Sequence, residues 1–270
     1  SGTILEDSSF SQLVYDRHGK ILRLTLAEDD KYRVYCHFNS AGPLIKNTIL
    51  MKEDRYFYYH PGVNPAALIR AFYQTYIKQG KKIGGSTITM QLARLLYKMQ
   101  TRSIWGKLKQ MAAALYLELY FSKNDILEAY INIAPCGANI EGFAAAAMIY
   151  FNKPLSDLTL HEALFLSVLP QNPSAFNPKS RLVHQEFLEA RERIYQLWEK
   201  TYPDSSSHRV HMDMPLNIQF TLPFKAPHFT TTLLQKYQQQ KKIHSTLDLK
   251  LQEITEQLLE RYIIRKKSIG

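Results

Sequence analysis

From its first residues the chain alternates apolar and polar positions through 10–26 (FSQLVYDRHGKILRLTL), on both sides of the pair His18-Gly19. A period of two broken by a turn pair predicts a short β-hairpin. From about 44 to 200 the period lengthens. Apolar residues recur three and four apart in segments 66–79, 86–99, 104–121, 124–134, 140–151, 160–169 and 183–200, separated by Gly, Pro, Asn or Ser, and this predicts a succession of amphipathic helices. Two carry start signals, because Ser122 stands three before Asp125 and Thr159 three before Glu162, the spacing of a capping box. Beyond 201 the pattern becomes irregular: TYPDSSSH reads as a linker and PLNIQFTLPF and HFTTTL as strand candidates, before a last amphipathic helix over 247–264. The expected fold is mainly α, with small β elements at the N-terminus and in the C-terminal linker region.

Composition narrows this picture. With 270 residues, 45% of them hydrophobic and 21% charged, the chain has enough apolar content for a sizeable core and is not of the disordered class. Its longest apolar runs, 111–117 and 143–151, fall short of the ~20 residues that span a bilayer. Thirty-four Lys and Arg against twenty-four Asp and Glu give +10, which favours a polyanionic partner: nucleic acid, an anionic membrane surface or a phosphorylated substrate. Charge alone does not choose among them. Cys36 and Cys136 stand far apart without metal-ligand spacing. They are read either as a disulfide or as two thiols.

Three segments carry candidate chemistry. In MKEDRYFYYHPG, 51–62, the adjacent carboxylates of Glu53 and Asp54 precede four aromatic residues and His60. A Glu against an aromatic wall is desolvated, which suits it to take a proton from a sugar hydroxyl, whereas a Glu merely flanking a helix would be an ordinary surface acid. In GGSTITMQLAR, 84–94, two glycines precede Ser86 and Thr87 at a helix start, whose free N–H groups favour an anion. The spacing is not that of a P-loop, so nucleotide binding is not supported. In RSIWGKLKQMAAALYLELYF, 102–121, a helical wheel puts Leu108, Met111, Ala112, Leu115 and Leu119 on the buried stripe and Lys107, Gln110 and Glu118 opposite.

Together with ILEAYINIAPCGANIEGFAAAAMIYF at 126–151 and LHEALFLSVLPQNPSAFNP at 160–178, these segments in this order closely resemble the peptidoglycan glycosyltransferase domain, glycosyltransferase family 51. IWGKLKQ and the arrangement of the tail resemble the 1C type of class A penicillin-binding protein, and HSTLDLKLQ at 244–252 resembles the run leading into its transpeptidase half. The resemblance implies a lysozyme-like domain at the periplasmic face of the bacterial inner membrane that polymerises lipid II into glycan strands. Its partners would be lipid II, the growing strand, the membrane surface and other cell-wall synthesis proteins, and not nucleic acid. It divides the chain into a β-hairpin lead-in over 3–43, the glycosyltransferase domain over 44–200, and a linker with the start of a truncated transpeptidase region over 201–270. No Ser-x-x-Lys of a transpeptidase occurs in the sequence.

Carried over residue by residue, the resemblance makes Glu53 the general base. It assigns Asp54, Ser86, Thr87, Gln91, Arg94, Arg102, Lys107 and Lys109 to substrate binding, the cations meeting the leaving pyrophosphate. Gln110 takes the place of a second family Glu and is counted with Glu53 as a catalytic position. An amide carries no negative charge and is a poor ligand for a divalent cation, so the expectation is that no cofactor is required and that dependence on a divalent metal is weak. The alternatives are a weakly active or inactive scaffold that binds lipid II, marked by Gln110, and a lysozyme-like hydrolase, which would need a second carboxylate such as Asp54 across the cleft.

Overall fold

The structure, a computed structural model, describes residues 3–73, 85–101, 103–171, 181–203, 218, 220 and 222–267. The chain forms two compact units, one comprising 1–8 and 33–220, the other 9–32 and 221–270. The three consecutive pieces expected from the sequence are therefore regrouped. The reason is strand pairing, which joins the N-terminal hairpin to a strand near the other end of the chain.

The larger unit is helical. Its helices are α1 (Pro43–Glu53), α2 (Pro65–Phe72), α3 (Ile88–Leu96), α4 (Ile104–Tyr120), α5 (Lys123–Ile133), α6 (Phe143–Phe151), α7 (Leu160–Val168) and α8 (Arg181–Thr201). The mainly α expectation holds, and both capping boxes form, Ser122 with Asp125 and Thr159 with Glu162. Helix α1, absent from the segments read from the sequence, starts on Pro43 at its first position after Gly42 and buries Ile45, Thr48, Ile49 and Met51. Proline's fixed φ suits that position, where its missing N–H costs nothing. It packs on α7 and α8, while α3 packs on α4 and α5. Helix α6 is buried except at Met148, as an all-apolar helix must be in a soluble core. Residues 74–79 of the helix expected over 66–79, and the loop before Gly84, lie outside the described residues.

Helix α4 overturns most of the expected wheel, although Met111 does pack against the buried cluster of Val63, Met90 and Ala114. Gln110, Ala114 and Leu117 are buried, whereas Leu108, Leu115 and Leu119 are 48%, 43% and 81% exposed. The cause is a contact too close for leucine. Gly62, at φ +84, runs so near α4 that a Cβ on it would lie 2.9 Å from the Ala114 carbonyl and 2.8 Å from Glu118 Cγ. Ala114, Val63 and Met90 close that contact as a small apolar cluster. Leu108, Leu115 and Leu119 are left outside.

In the smaller unit β1 (Leu13–Tyr15) pairs antiparallel with β2 (Ile21–Leu24) and parallel with β3 (Lys242–His244), in the order β2-β1-β3. Val14, Leu22 and Ile243 form its buried cluster, against Phe229, Leu233 and Leu234. These last three belong to α9 (Pro227–Lys236), so HFTTTL is helix and not strand. Thr230 and Thr232 return their hydroxyls to the carbonyls four residues back, Ala226 and His228, each at 3.1 Å, which satisfies β-branched threonines inside a helix. Of PLNIQFTLPF, residues 215–217, 219 and 221 lie outside the described residues, and Phe224 makes an isolated antiparallel bridge with Arg23. The last helix, α10 (Leu249–Lys267), has every residue exposed or half-exposed. The two cysteines are not joined in a disulfide, Cys36 being half-buried and Cys136 buried.

Candidate active site

Helix α1 ends at Glu53, and its carboxylate is gripped at both oxygens. Lys52 Nζ donates to Oε1 at 3.1 Å and Gln91 Nε2, from α3, donates to Oε2 at 2.9 Å. The Glu53 side chain is 4% exposed. Behind Gln91 stands Tyr130 of α5, whose hydroxyl donates to Gln91 Oε1 at 3.2 Å. Burial, reinforced by the charge of Glu53, pushes that phenol well above its ordinary range, so it remains a donor. Asp54 leaves the helix in extended backbone, φ −162. Its carboxylate accepts from His60 Nε2 at 2.9 and 3.0 Å and from the Ile88 N–H at 3.1 Å, tying the end of α1 to the start of α3. Of the aromatic wall read from the sequence, Tyr56 lines the same cavity as Glu53, whereas in the 3-10 turn Phe57–Tyr59 the rings of Tyr58 and Tyr59 are exposed and that of Phe57 is buried.

The start of α3 forms the second wall. Thr87 caps the helix, accepting from the Met90 N–H at 3.1 Å, and donates to the Gly62 carbonyl. Its hydroxyl is thus occupied by the fold. Ser86 Oγ accepts from Lys107 Nζ at 2.6 Å, and the same ammonium donates to Gln110 Oε1 at 3.0 Å. Burial first, and the charge of Arg94 second, pull the Lys107 pKa below the usual lysine value. Gln110 is 2% exposed. Its Nε2 donates to the Met90 carbonyl at 2.6 Å, a bond that a carboxylate could not make. Arg94, half-buried, comes close enough for its charge to be felt at Lys107 and at Tyr130. Lys109 is exposed, and Arg102 lies outside the described residues.

These walls enclose a cavity of about 290 Å³ lined by Glu53, Asp54, Ser86 and Thr87, and also by Lys52, Arg55, Tyr56 and Arg70. Gln91, Lys107 and Gln110 stand directly behind the lining through the bonds above. Lys52, Arg70 and Tyr130 were not singled out from the sequence. Arg70 belongs to no spaced motif, and Lys52 and Tyr130 reach the site only through packing. Among the described residues no three His, Cys, Asp or Glu side chains gather as a metal site.

Comparison with known proteins matches residues 18–198 to the family described as Transglycosylase. The chain belongs to that family. The transglycosylase is 34% identical over 240 residues to penicillin-binding protein 1C of Escherichia coli, covering 87% of this chain and 30% of that protein. It is 37% identical over 192 residues to penicillin-binding protein 4 of Bacillus subtilis, covering 70% and 30%, and 29% identical over 269 residues to penicillin-binding protein 1A of Aquifex aeolicus, covering 95% and 36%. The transglycosylase thus spans about a third of the length of these relatives. A crystal structure of penicillin-binding protein 1A from Haemophilus influenzae superposes on 90% of this chain and 28% of that one, with 18% identity and a TM-score of 0.43, too loose a match to add to the fold argument.

Proposed function

We propose that this transglycosylase joins lipid II units into peptidoglycan glycan strands by inverting transfer. Glu53 takes the proton of the acceptor GlcNAc 4-hydroxyl. The freed oxygen attacks the anomeric carbon of the donor MurNAc from the face opposite the leaving group. The bond to the lipid pyrophosphate breaks, and its electron pair stays on the departing phosphate oxygen. Lys107 and Arg94 supply positive charge where that group gathers its own, the task for which a preorganised site is worth most. Ser86 orients Lys107, and Lys109 and Arg102 are assigned to the same pyrophosphate on the family resemblance alone.

One observation carries the reading: a carboxylate 4% exposed, fixed at both oxygens, in the wall of a cavity whose other wall holds the Ser86–Lys107 pair. Labelled lipid II incubated with the chain should give glycan polymer, and Glu53→Gln should abolish it, because an amide cannot accept the proton. Saturable binding of lipid II without polymer would favour the scaffold reading instead. The hydrolase reading is disfavoured by Asp54, whose oxygens are committed to His60 and to the Ile88 N–H.

The donor set also argues against a tightly held divalent cation. Glu53 already carries an ammonium and an amide, and Gln110 uses its oxygen on Lys107 and its nitrogen on Met90. Polymerisation should therefore persist in chelator, with at most a severalfold loss. The domain is placed by this reading at the periplasmic face of the inner membrane, where its lipid-linked substrate lies. Support comes from α4, whose outward face carries Ile104, Trp105, Leu119 and Tyr120, each at least two-thirds exposed, a composition suited to a membrane interface. Among the described residues no helix is long and apolar enough to cross a membrane.

A further inference from the structure

We propose that Lys52 is a positioning residue for the base, locking the Glu53 carboxylate against the C-terminal end of α7; the inference rests on the reading of Glu53 as the base. Adjacent residues on a helix normally point about 100° apart. Here α1 ends, and the two side chains converge at 3.1 Å. Lys52 is itself only 10% exposed along its side chain, and a desolvated ammonium persists only where acceptors surround it. It has two. One is Glu53 Oε1, and the other is the Ser167 carbonyl at 3.2 Å.

Ser167 lies in the last turn of α7 (Leu160–Val168). The final carbonyls of a helix lack partners within it and gather the negative end of its dipole, so an ammonium there completes the helix end. The Ser167 hydroxyl is turned back to the Leu164 carbonyl at 2.7 Å and does not compete for the lysine. Lys52 therefore joins the carboxylate to α7, while Gln91 joins the other oxygen to α3 and, through Tyr130, to α5. With both bonds in place the carboxylate plane is fixed, and each oxygen keeps a lone pair for the incoming proton. With Lys52 removed, the plane is held by Gln91 alone and swings about its terminal torsion, a broad and shallow one.

The test is lipid II polymerisation by the full chain carrying Lys52→Met, Lys52→Arg, Lys52→Gln or Glu53→Gln, with melting temperatures measured in parallel. Lys52→Met is expected to lower kcat about tenfold while leaving KM within about twofold, the mark of lost alignment and not lost binding. Lys52→Arg should recover most of the rate, because a guanidinium can span both acceptors. A Lys52→Met enzyme with unaltered kcat overturns the proposal. So does a loss that lies in KM, which would make Lys52 a direct sugar contact, or a folded Lys52→Arg enzyme no better than Lys52→Met. Should Lys52→Met fail to fold, Lys52→Gln takes its place, with reduced kcat and rescue by Lys52→Arg supporting the proposal and normal kcat refuting it. Polymer made by Glu53→Gln would remove the base reading itself, whatever the lysine variants do.

Discussion

Lys107 is the side chain whose environment speaks most directly about pH. Its burial and the neighbouring Arg94 lower its pKa, so it gives up its proton at a lower pH than a free lysine does. If its charge meets the leaving pyrophosphate, the rate declines as pH rises through that lowered value. Lys107→Arg, which does not titrate in the accessible range, should keep activity at neutral pH within about tenfold and remove the alkaline decline; a pH–rate profile of both enzymes checks this. At Gly62, where φ is positive and the space for a Cβ is already taken by α4, Gly62→Ala should destabilise by about 1–3 kcal/mol, measurable by denaturant unfolding. Glu53 beside Asp54 and Ser86 behind two glycines are legible from the residues themselves, and Gln91 only through the family resemblance. Tyr130 and Lys52 were not legible, because each matters through a partner brought to it by another helix, Gln91 in the one case and Ser167 in the other.

At the scale of elements, periodicity located most helices, and local chemistry fixed their starts. Ser122 and Thr159 each accept from the third N–H of their helix while Asp125 and Glu162 reach back, so Ser122→Ala and Thr159→Ala should each cost about 1 kcal/mol of stability. Two elements misled the periodic reading for different reasons. HFTTTL has the β-branched content of a strand, but Pro227 starts a helix and the threonine hydroxyls find carbonyls inside it. In α4 the period was right and the face was wrong, because a wheel assumes that the broadest apolar stripe turns inward. The close approach of Gly62 demanded a narrow contact at Ala114. A helix whose apolar side meets something other than the protein's own core leaves this signature, and replacing Trp105 and Leu119 together by Glu should weaken binding to lipid vesicles severalfold while leaving the melting temperature within a few degrees, read by vesicle co-sedimentation.

For the whole molecule, the net charge of +10 adds a long-range attraction to an anionic bilayer that salt will screen. Co-sedimentation with anionic vesicles should fall as salt rises from low to physiological concentration, and neutral vesicles should bind less; equal binding to both would leave the charge without this role. The division into units was beyond the sequence, since three-residue strands carry little pattern and the pairing of Val14 with Ile243 joins positions 229 apart. That pairing bears on how the chain acquires its structure. A ribosome delivers β1 and β2 early, but the strand that completes their sheet emerges only after the whole helical unit has been made. A lone hairpin is at best marginally stable in water, and closing so long a loop carries an entropic cost. The helical unit is thus free to fold first, and the sheet is the late event of biogenesis: a ribosome-arrested chain ending near 220 should display protected helical amides while the amides of β1 still exchange freely.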